Sequence, residues 1–167
     1  LLGSMSGTAS PPKPGNDAPR GYTHENADTS QMHIGLAYDA MPEPHPDSML
    51  QRTAAAVLSG GMSGRLFTEV REKRGLCYAV YASYGASKHL GAMLSYAGTT
   101  IARAQETFDV LIAELRRISE GVDASEFQRV QVGMKSGLVM QGESTSARAY
   151  AIASDQYIYG QPRTLEE

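Results

Sequence analysis

Apolar positions along this chain switch between a period of two and a period near 3.6, and each switch marks an element. Met32, Ile34, Leu36 and Tyr38 alternate with His33, Gly35 and Ala37, the pattern of a half-buried strand. Met41–Pro46 carries three prolines, which forbid helix and ladder donors, so it reads as a loop. Asp47 is placed to cap a helix through Leu50, Ala54, Val57 and Leu58, and Ser59-Gly60-Gly61 breaks it. Ser63 is placed to cap a second helix with Leu66, Phe67 and Val70 on one face, and Gly75 supplies its left-handed stop. Two strands follow, residues 76–84 and 90–97, with the hairpin spacing of 85–89 between them. Simple alternation puts Leu76, Tyr78, Val80, Ala82 and Tyr84 on one face of the first, with Cys77 and Tyr81 opposite.

Residues 100–120 then keep helical spacing through Ile101, Ala104, Phe108, Leu111, Ile112, Leu115 and Ile118, and Gly121 closes the run. Asp123-Ala124-Ser125-Glu126 is a capping box for a helix with Phe127, Val130, Met134 and Leu138 on its apolar side. After Gly142-Glu143-Ser144, a last helix from Thr145 carries Ala149, Ile152, Ala153 and Tyr157 to Gly160-Gln161-Pro162. Strand, two helices, two strands and three helices predict an α+β fold: an antiparallel sheet with helices packed on one face.

Composition narrows the functional classes. The 167 residues suffice for one domain with a substantial core. A formal charge of −3 and the absence of a basic stripe interleaved with aromatics argue against a nucleic-acid partner. The longest apolar runs fall well short of a bilayer span. Cys77 is the single cysteine, so no disulfide closes within the chain, and it reads as a small core residue. Residues 1–21, with Pro11, Pro12, Pro14 and Pro19, have the composition of a disordered linker or a cloning remainder, and 22–167 hold the α+β domain.

The chemistry concentrates in Ser59–Tyr81. Reversal of the chain at Gly75 brings the strand bearing Tyr78 back past the last turn of the helix bearing Arg71. A guanidinium and a phenol that converge can bind a carbonyl or carboxylate, whereas free arginine and tyrosine titrate too far above neutrality for acid–base work. Without further information Arg71 would read as a solvated helix end, and Tyr78, Tyr81 and Tyr84 as sheet packing. The Gly60-Gly61 turn is not followed by Gly-Lys-Ser/Thr, so it reads as a helix–helix joint rather than a phosphate cradle.

Gly60-Gly61-Met62-Ser63-Gly64-Arg65-Leu66-Phe67-Thr68-Glu69-Val70-Arg71-Glu72-Lys73-Arg74-Gly75-Leu76-Cys77-Tyr78 resembles the pattern of the second, non-zinc-binding half of the M16 (insulinase or pitrilysin-like) metallopeptidases. Gln31–Leu36, the 47–58 helix, Gly142–Ala149 and Tyr159–Glu166 extend the resemblance over roughly residues 22–167. It implies a half-domain of the LuxS/MPP-like fold, truncated at its C-terminal end. It also implies the substrate-binding C-terminal half of a zinc endopeptidase that degrades or processes unfolded peptides. By position, Arg71 and Tyr78 match the family's Arg/Tyr pair, which serves both catalysis and substrate binding. The implied partners are a peptide substrate and an N-terminal zinc-binding half, in the same polypeptide or a partner subunit. The alternative is a non-catalytic scaffold or partner subunit of the same family.

The zinc-binding half of that family carries H-x-x-E-H, two histidines one helical turn apart and a glutamate that activates water. Here His24, His33, His45 and His89 are too far apart for that motif, and His24-Glu25 meets Asp28 where the second histidine of H-E-x-x-H would stand. His33 is expected on the less apolar face of its strand and His45 in solvent between prolines. No metal site or cofactor is therefore expected in this chain. Zn2+ is expected on the missing half, and the isolated chain is expected to be inactive.

Overall fold

The structure is a computed structural model that describes residues 21–26 and 28–164. The linker expected over 1–21, apart from Gly21, and the chain end at 165–167 lie outside the described residues. Strand β1 (Gln31–Ala40) leads through the proline loop into helix α1 (Ser48–Ser59). A short wide helix (Phe67–Glu72) comes next, then strands β2 (Cys77–Ala86) and β3 (Gly91–Thr100). Helices α2 (Ala104–Arg117), α3 (Ala124–Glu143) and α4 (Thr145–Tyr159) complete the order. The three strands form one antiparallel sheet in the order β1-β3-β2. The hairpin and all the expected elements are present, with the last two strands each starting one residue later and ending two or three residues later than their patterns indicated.

Alternation along the central strand sorts the two faces. Met93, Ser95, Ala97 and Thr99 of β3 are buried, and their β1 partners Tyr38, Leu36, Ile34 and Met32 share that side. Against this face stand α1, the Phe67–Glu72 helix and α2, which enclose Leu58, Leu66, Val70, Leu76, Cys77, Ala82, Ala97 and Leu111. Helix α3 packs on α1 and α4 on α3, a second layer remote from the sheet. The other sheet face carries Gln31, His33, Gly35, Leu94, Tyr96 and Gly98 and has no helix upon it among the described residues.

The first joint is tight. A Cβ on Gly64 would stand 2.8 Å from the Leu58 carbonyl oxygen, so only glycine lets the chain double back there. The helix that follows begins with an α-type bond, Thr68 N–H to Gly64 C=O at 3.0 Å, and widens until Lys73 N–H reaches the Thr68 carbonyl, five residues back, at 2.9 Å. Such widened turns are uncommon and cluster at functional sites. Gly75 adopts φ +60°, the left-handed stop expected from the sequence.

Several local expectations fail for identifiable reasons. Asp47 precedes α1, but its side chain makes no cap; its backbone N–H is instead taken by His45 Nδ1 at 3.1 Å. The second helix starts at Arg65 and shows no side-chain cap from Ser63. The α2 run does not bury a continuous apolar line. Ile101 and Phe108 are exposed while Thr107, Leu111 and Glu114 are buried, because α2 turns a partly polar stripe towards the sheet. Phe127 and Leu138 of α3, and Ile152 and Tyr157 of α4, also face outwards, as an outer layer with nothing beyond it leaves them. The Asp123/Glu126 capping box forms as expected, the Glu126 N–H donating to Asp123 Oδ1 at 2.8 Å.

Candidate active-site face

The decisive local event is a β-bulge at the start of β2. Cys77 pairs with Thr99 and Ala79 with Gly98, so Tyr78 is the extra residue. An inserted residue shifts the parity of the strand and re-aims a side chain. Cys77, Val80 and Ala82 consequently lie with the core, and Tyr78 turns to the open sheet face along with Tyr81. This corrects the alternation expected from the sequence, which grouped Tyr78 with Val80 and Ala82 and set Cys77 and Tyr81 opposite. A bulge leaves no mark in a hydrophobicity pattern, and one added residue reverses every assignment before it.

Packing fixes the bulge from behind. The Leu76 carbonyl accepts from the hydroxyl of Thr99 at 2.5 Å and has that of Thr107 3.3 Å away, while the Arg103 guanidinium donates to the Gly75 carbonyl. The Leu76 N–H returns to the Val70 carbonyl at 3.0 Å. The buried polar stripe of α2 thus fastens the turn between the Arg71 helix and the strand of Tyr78. Burial pushes the Cys77 thiol up, with the Arg71 charge opposing. A thiol held neutral is a poor nucleophile, in keeping with a packing role.

In front of the sheet, the Tyr78 ring lies over Gly98, where any side chain would collide with it. The Tyr78 hydroxyl donates to the Gln31 side-chain carbonyl, Oε1, at 3.2 Å. The nearby Tyr78 hydroxyl, ahead of burial, raises the Tyr96 phenol above its ordinary range. Tyr96 Oη in turn stands 2.7 Å from His33 Nδ1, and the Tyr81 ring stacks on Tyr96 with centroids 5.1 Å apart. Two pairs, Tyr78 with Gln31 and Tyr96 with His33, and the Tyr81 ring stacked on Tyr96 therefore share one patch at the exposed side of the sheet. His33 occupies the less apolar strand face, as expected. Tyr96 and Gln31 were not singled out as site residues by the sequence. The position of Tyr96 in the third strand, even-numbered like Leu94 and Gly98, was the only signal.

Arg71 sits in the last turn of the wide helix, exposed, with its guanidinium 5.1 Å from the centre of the Phe67 ring. It and Tyr78 flank the same Gly75 turn, yet no hydrogen bond joins them among the described residues. The convergence expected from the sequence is thus one of neighbourhood rather than contact.

The family model described as the peptidase M16 inactive domain matches residues 2–134. The chain belongs to the M16 peptidase family. Among curated relatives, this M16 domain is 30% identical over 143 residues to the uncharacterized zinc protease YmxG of Bacillus subtilis, covering 84% of the chain and 34% of the relative. It is 29% identical over 152 residues to an uncharacterized zinc protease of Mycobacterium bovis, covering 90% and 34%. The chain therefore spans about a third of the length of these relatives. The crystal structure of a peptidase M16 inactive domain from Pseudomonas fluorescens superposes with a TM-score of 0.69 at 24% identity, over 80% of this chain and 32% of that one. The inactive peptidase domain of a putative zinc protease from Bordetella parapertussis gives 0.69 at 16% identity, over 81% and 74%, a likeness of fold.

The M16 domain offers zinc no nest of ligands: among the described residues no three His, Cys, Asp or Glu side chains converge. His33, the histidine of the open face, already has Nδ1 against Tyr96. The donor set on this face does not fit the metal. No described helix is long and apolar enough to cross a membrane.

Proposed function

We propose that this domain is the substrate-binding half of a zinc endopeptidase that acts on unfolded peptides. The zinc and its water-activating glutamate would be carried by a complementary half, in the same polypeptide or a partner subunit. The observation that supports this reading is the Tyr78 hydroxyl on the open sheet face, donating to an amide carbonyl, Gln31 Oε1. A peptide carbonyl is the same acceptor, and the bulge that turns Tyr78 outwards leaves its hydroxyl within reach of one. A donor aimed at a carbonyl oxygen gains strength as that oxygen becomes an oxyanion, which lowers the barrier. Arg71, exposed beside the same turn, would anchor the peptide backbone. Its rigid fork of N–H donors suits carbonyl and carboxylate acceptors.

The test is made in the full-length protein with an unstructured peptide. Tyr78→Phe removes one hydroxyl and keeps the ring, so kcat should fall roughly ten- to a thousandfold with the melting temperature unchanged. Arg71→Ala should raise KM as well, because it also holds the ground state. Full activity in Tyr78→Phe would transfer the domain to the scaffold reading, in which it shapes a peptide chamber without touching the chemistry.

A further inference from the structure

The Tyr78 side chain lies crosswise to the strands. It leaves the bulge in β2, passes over Gly98 of the central strand and meets Gln31 at the head of β1. One hydrogen bond thus bridges the two outer strands of the sheet, from the Tyr78 hydroxyl to Gln31 Oε1 at 3.2 Å. A tyrosine hydroxyl has a single hydrogen to give, so while Gln31 holds it no other acceptor can. The acceptor also has the chemistry of a substrate, since a side-chain carboxamide presents the same carbonyl oxygen as a peptide bond. Its backbone is anchored: the Gln31 N–H donates to Thr29 Oγ1 at 3.3 Å, and Thr29 Oγ1 donates to the Gln31 carbonyl at 3.2 Å. An acceptor tethered in this way keeps a fixed effective concentration, whatever the concentration of peptide.

We infer that Gln31 is a resident competitor for the Tyr78 hydroxyl, an autoinhibitory contact that a peptide must displace before its own carbonyl is bound. The displacement needs no movement of the sheet. Gln31 is exposed and Tyr78 is 46% exposed, so rotation of the glutamine side chain about its own bonds frees the hydroxyl. Exposed rotamers exchange in picoseconds to nanoseconds, far faster than turnover, so release does not limit kcat. It acts on affinity instead, because only the fraction of molecules with a free hydroxyl binds peptide there. The exchange swaps one amide acceptor for another. Its penalty is therefore the one ordinary hydrogen bond given up, about two- to fivefold in KM. The competitor rests on the role proposed for Tyr78, and its test separates the two.

Gln31→Met keeps the length of the side chain and removes the amide acceptor. In the full-length protein, with an unstructured fluorescence-quenched peptide as substrate, KM should fall roughly two- to fivefold with kcat unchanged. In the Tyr78→Phe background the same substitution should leave KM where it was, since no hydroxyl remains to compete for. With glutamine-selective 15N labelling, the Gln31 side-chain amide, assigned by its loss in Gln31→Met, should shift in Tyr78→Phe. An amide signal indifferent to Tyr78→Phe overturns the competitor. So does an unchanged or raised KM in Gln31→Met, or a KM that falls equally in both backgrounds. A fall in kcat also overturns it, because Gln31 would then prop the phenol rather than compete for it. In each of these cases an impaired Tyr78→Phe leaves the role of Tyr78 standing. Full activity in Tyr78→Phe overturns both.

Discussion

Tyr78 occupies the space that a side chain on Gly98 would need: a Cβ at residue 98 would stand 2.5 Å from the Tyr78 ring carbon Cζ and 2.6 Å from its hydroxyl. The two residues lie on neighbouring strands, and the bulge seats one upon the other. Gly98→Ala is thus a way to move the phenol without removing it. The ring is the far end of a mobile side chain, so the strand need not break. Alanine is also the better strand former by about 0.5–1 kcal/mol, so stability should change little. Peptidase activity in the full-length protein should fall roughly tenfold to a hundredfold from misplacement of the donor. Unfolding curves and kcat measured side by side check both halves of this expectation.

Arg65 and Glu126 carry a different kind of weight. Arg65 Nε and Nη2 each donate to a Glu126 carboxylate oxygen at 2.7 Å, and Nη2 also reaches the Gly121 carbonyl at 2.8 Å. Both side chains are largely buried, so this fork ties the start of the wide helix to the start of α3. Arg65→Met would strand a buried carboxylate and should cost about 3–5 kcal/mol at neutral pH. The Arg65 hydrogen bonds are also the first cause holding the Glu126 carboxyl below its ordinary range. Its contribution is therefore present above the unfolded pKa and is lost as pH falls through the folded one. The gap between wild type and Arg65→Met in denaturant titrations should narrow towards acid pH. An equal gap at every pH would refute the assignment.

Glu114 behaves in the opposite sense. It is buried on α2, with one oxygen 3.1 Å from Arg117 Nη1 and the other without a hydrogen-bond partner among the described residues. Burial, opposed by Arg117, raises its carboxyl above the ordinary range. The folded state thus binds this proton more tightly than the unfolded state. Stability from this group is fully present below the unfolded pKa and declines as pH rises through the raised folded one. Glu114→Gln should flatten that decline, because it removes the titrating charge that burial disfavours and keeps an oxygen to accept from Arg117. Thermal melts of the two proteins across mildly acidic pH check the slope.

The element order was legible because it rests on periodicity, turn residues and a capping box, all local properties of sequence. The buried face of the first strand follows from the alternation of Met32, Ile34, Leu36 and Tyr38, whereas the order β1-β3-β2 is set by which edge of the hairpin that strand joins. The site was legible only in its two motif residues, Arg71 and Tyr78. Three determinants were not. The bulge that turns Tyr78 depends on pairing with Thr99 and Gly98, twenty residues away. Tyr96 gains meaning only when the hairpin lays it beside His33 of a strand 63 positions earlier. The buried threonines of α2 and β3 look like errors in an apolar stripe until the Leu76 carbonyl they serve is in view.

That carbonyl gives the last prediction. Thr99 Oγ1 donates to Leu76 O at 2.5 Å from a fully buried position, while Thr107 Oγ1, 3.3 Å from the same carbonyl, has its one hydrogen on the nearer Arg103 carbonyl at 2.7 Å. Thr99→Val is close to isosteric and removes only the stronger donor. Thr107 can turn its hydrogen from the Arg103 carbonyl to that of Leu76, so the carbonyl need not be orphaned, and the cost should be about 1 kcal/mol, the net worth of one hydrogen bond. The functional consequence should be larger than the energetic one. Leu76 is the hinge between the Gly75 turn and the bulge, and a looser carbonyl lets β2 slide towards regular pairing. In regular pairing Tyr78 would point into the core face, where Cys77 now lies. Thr99→Val should therefore show faster amide exchange at Cys77 and Ala79 and a weaker contact of the Tyr78 ring with Gly98 in NMR, at nearly unchanged melting temperature. Unchanged exchange at the bulge would mean that the strand holds Tyr78 outward without help from the threonine.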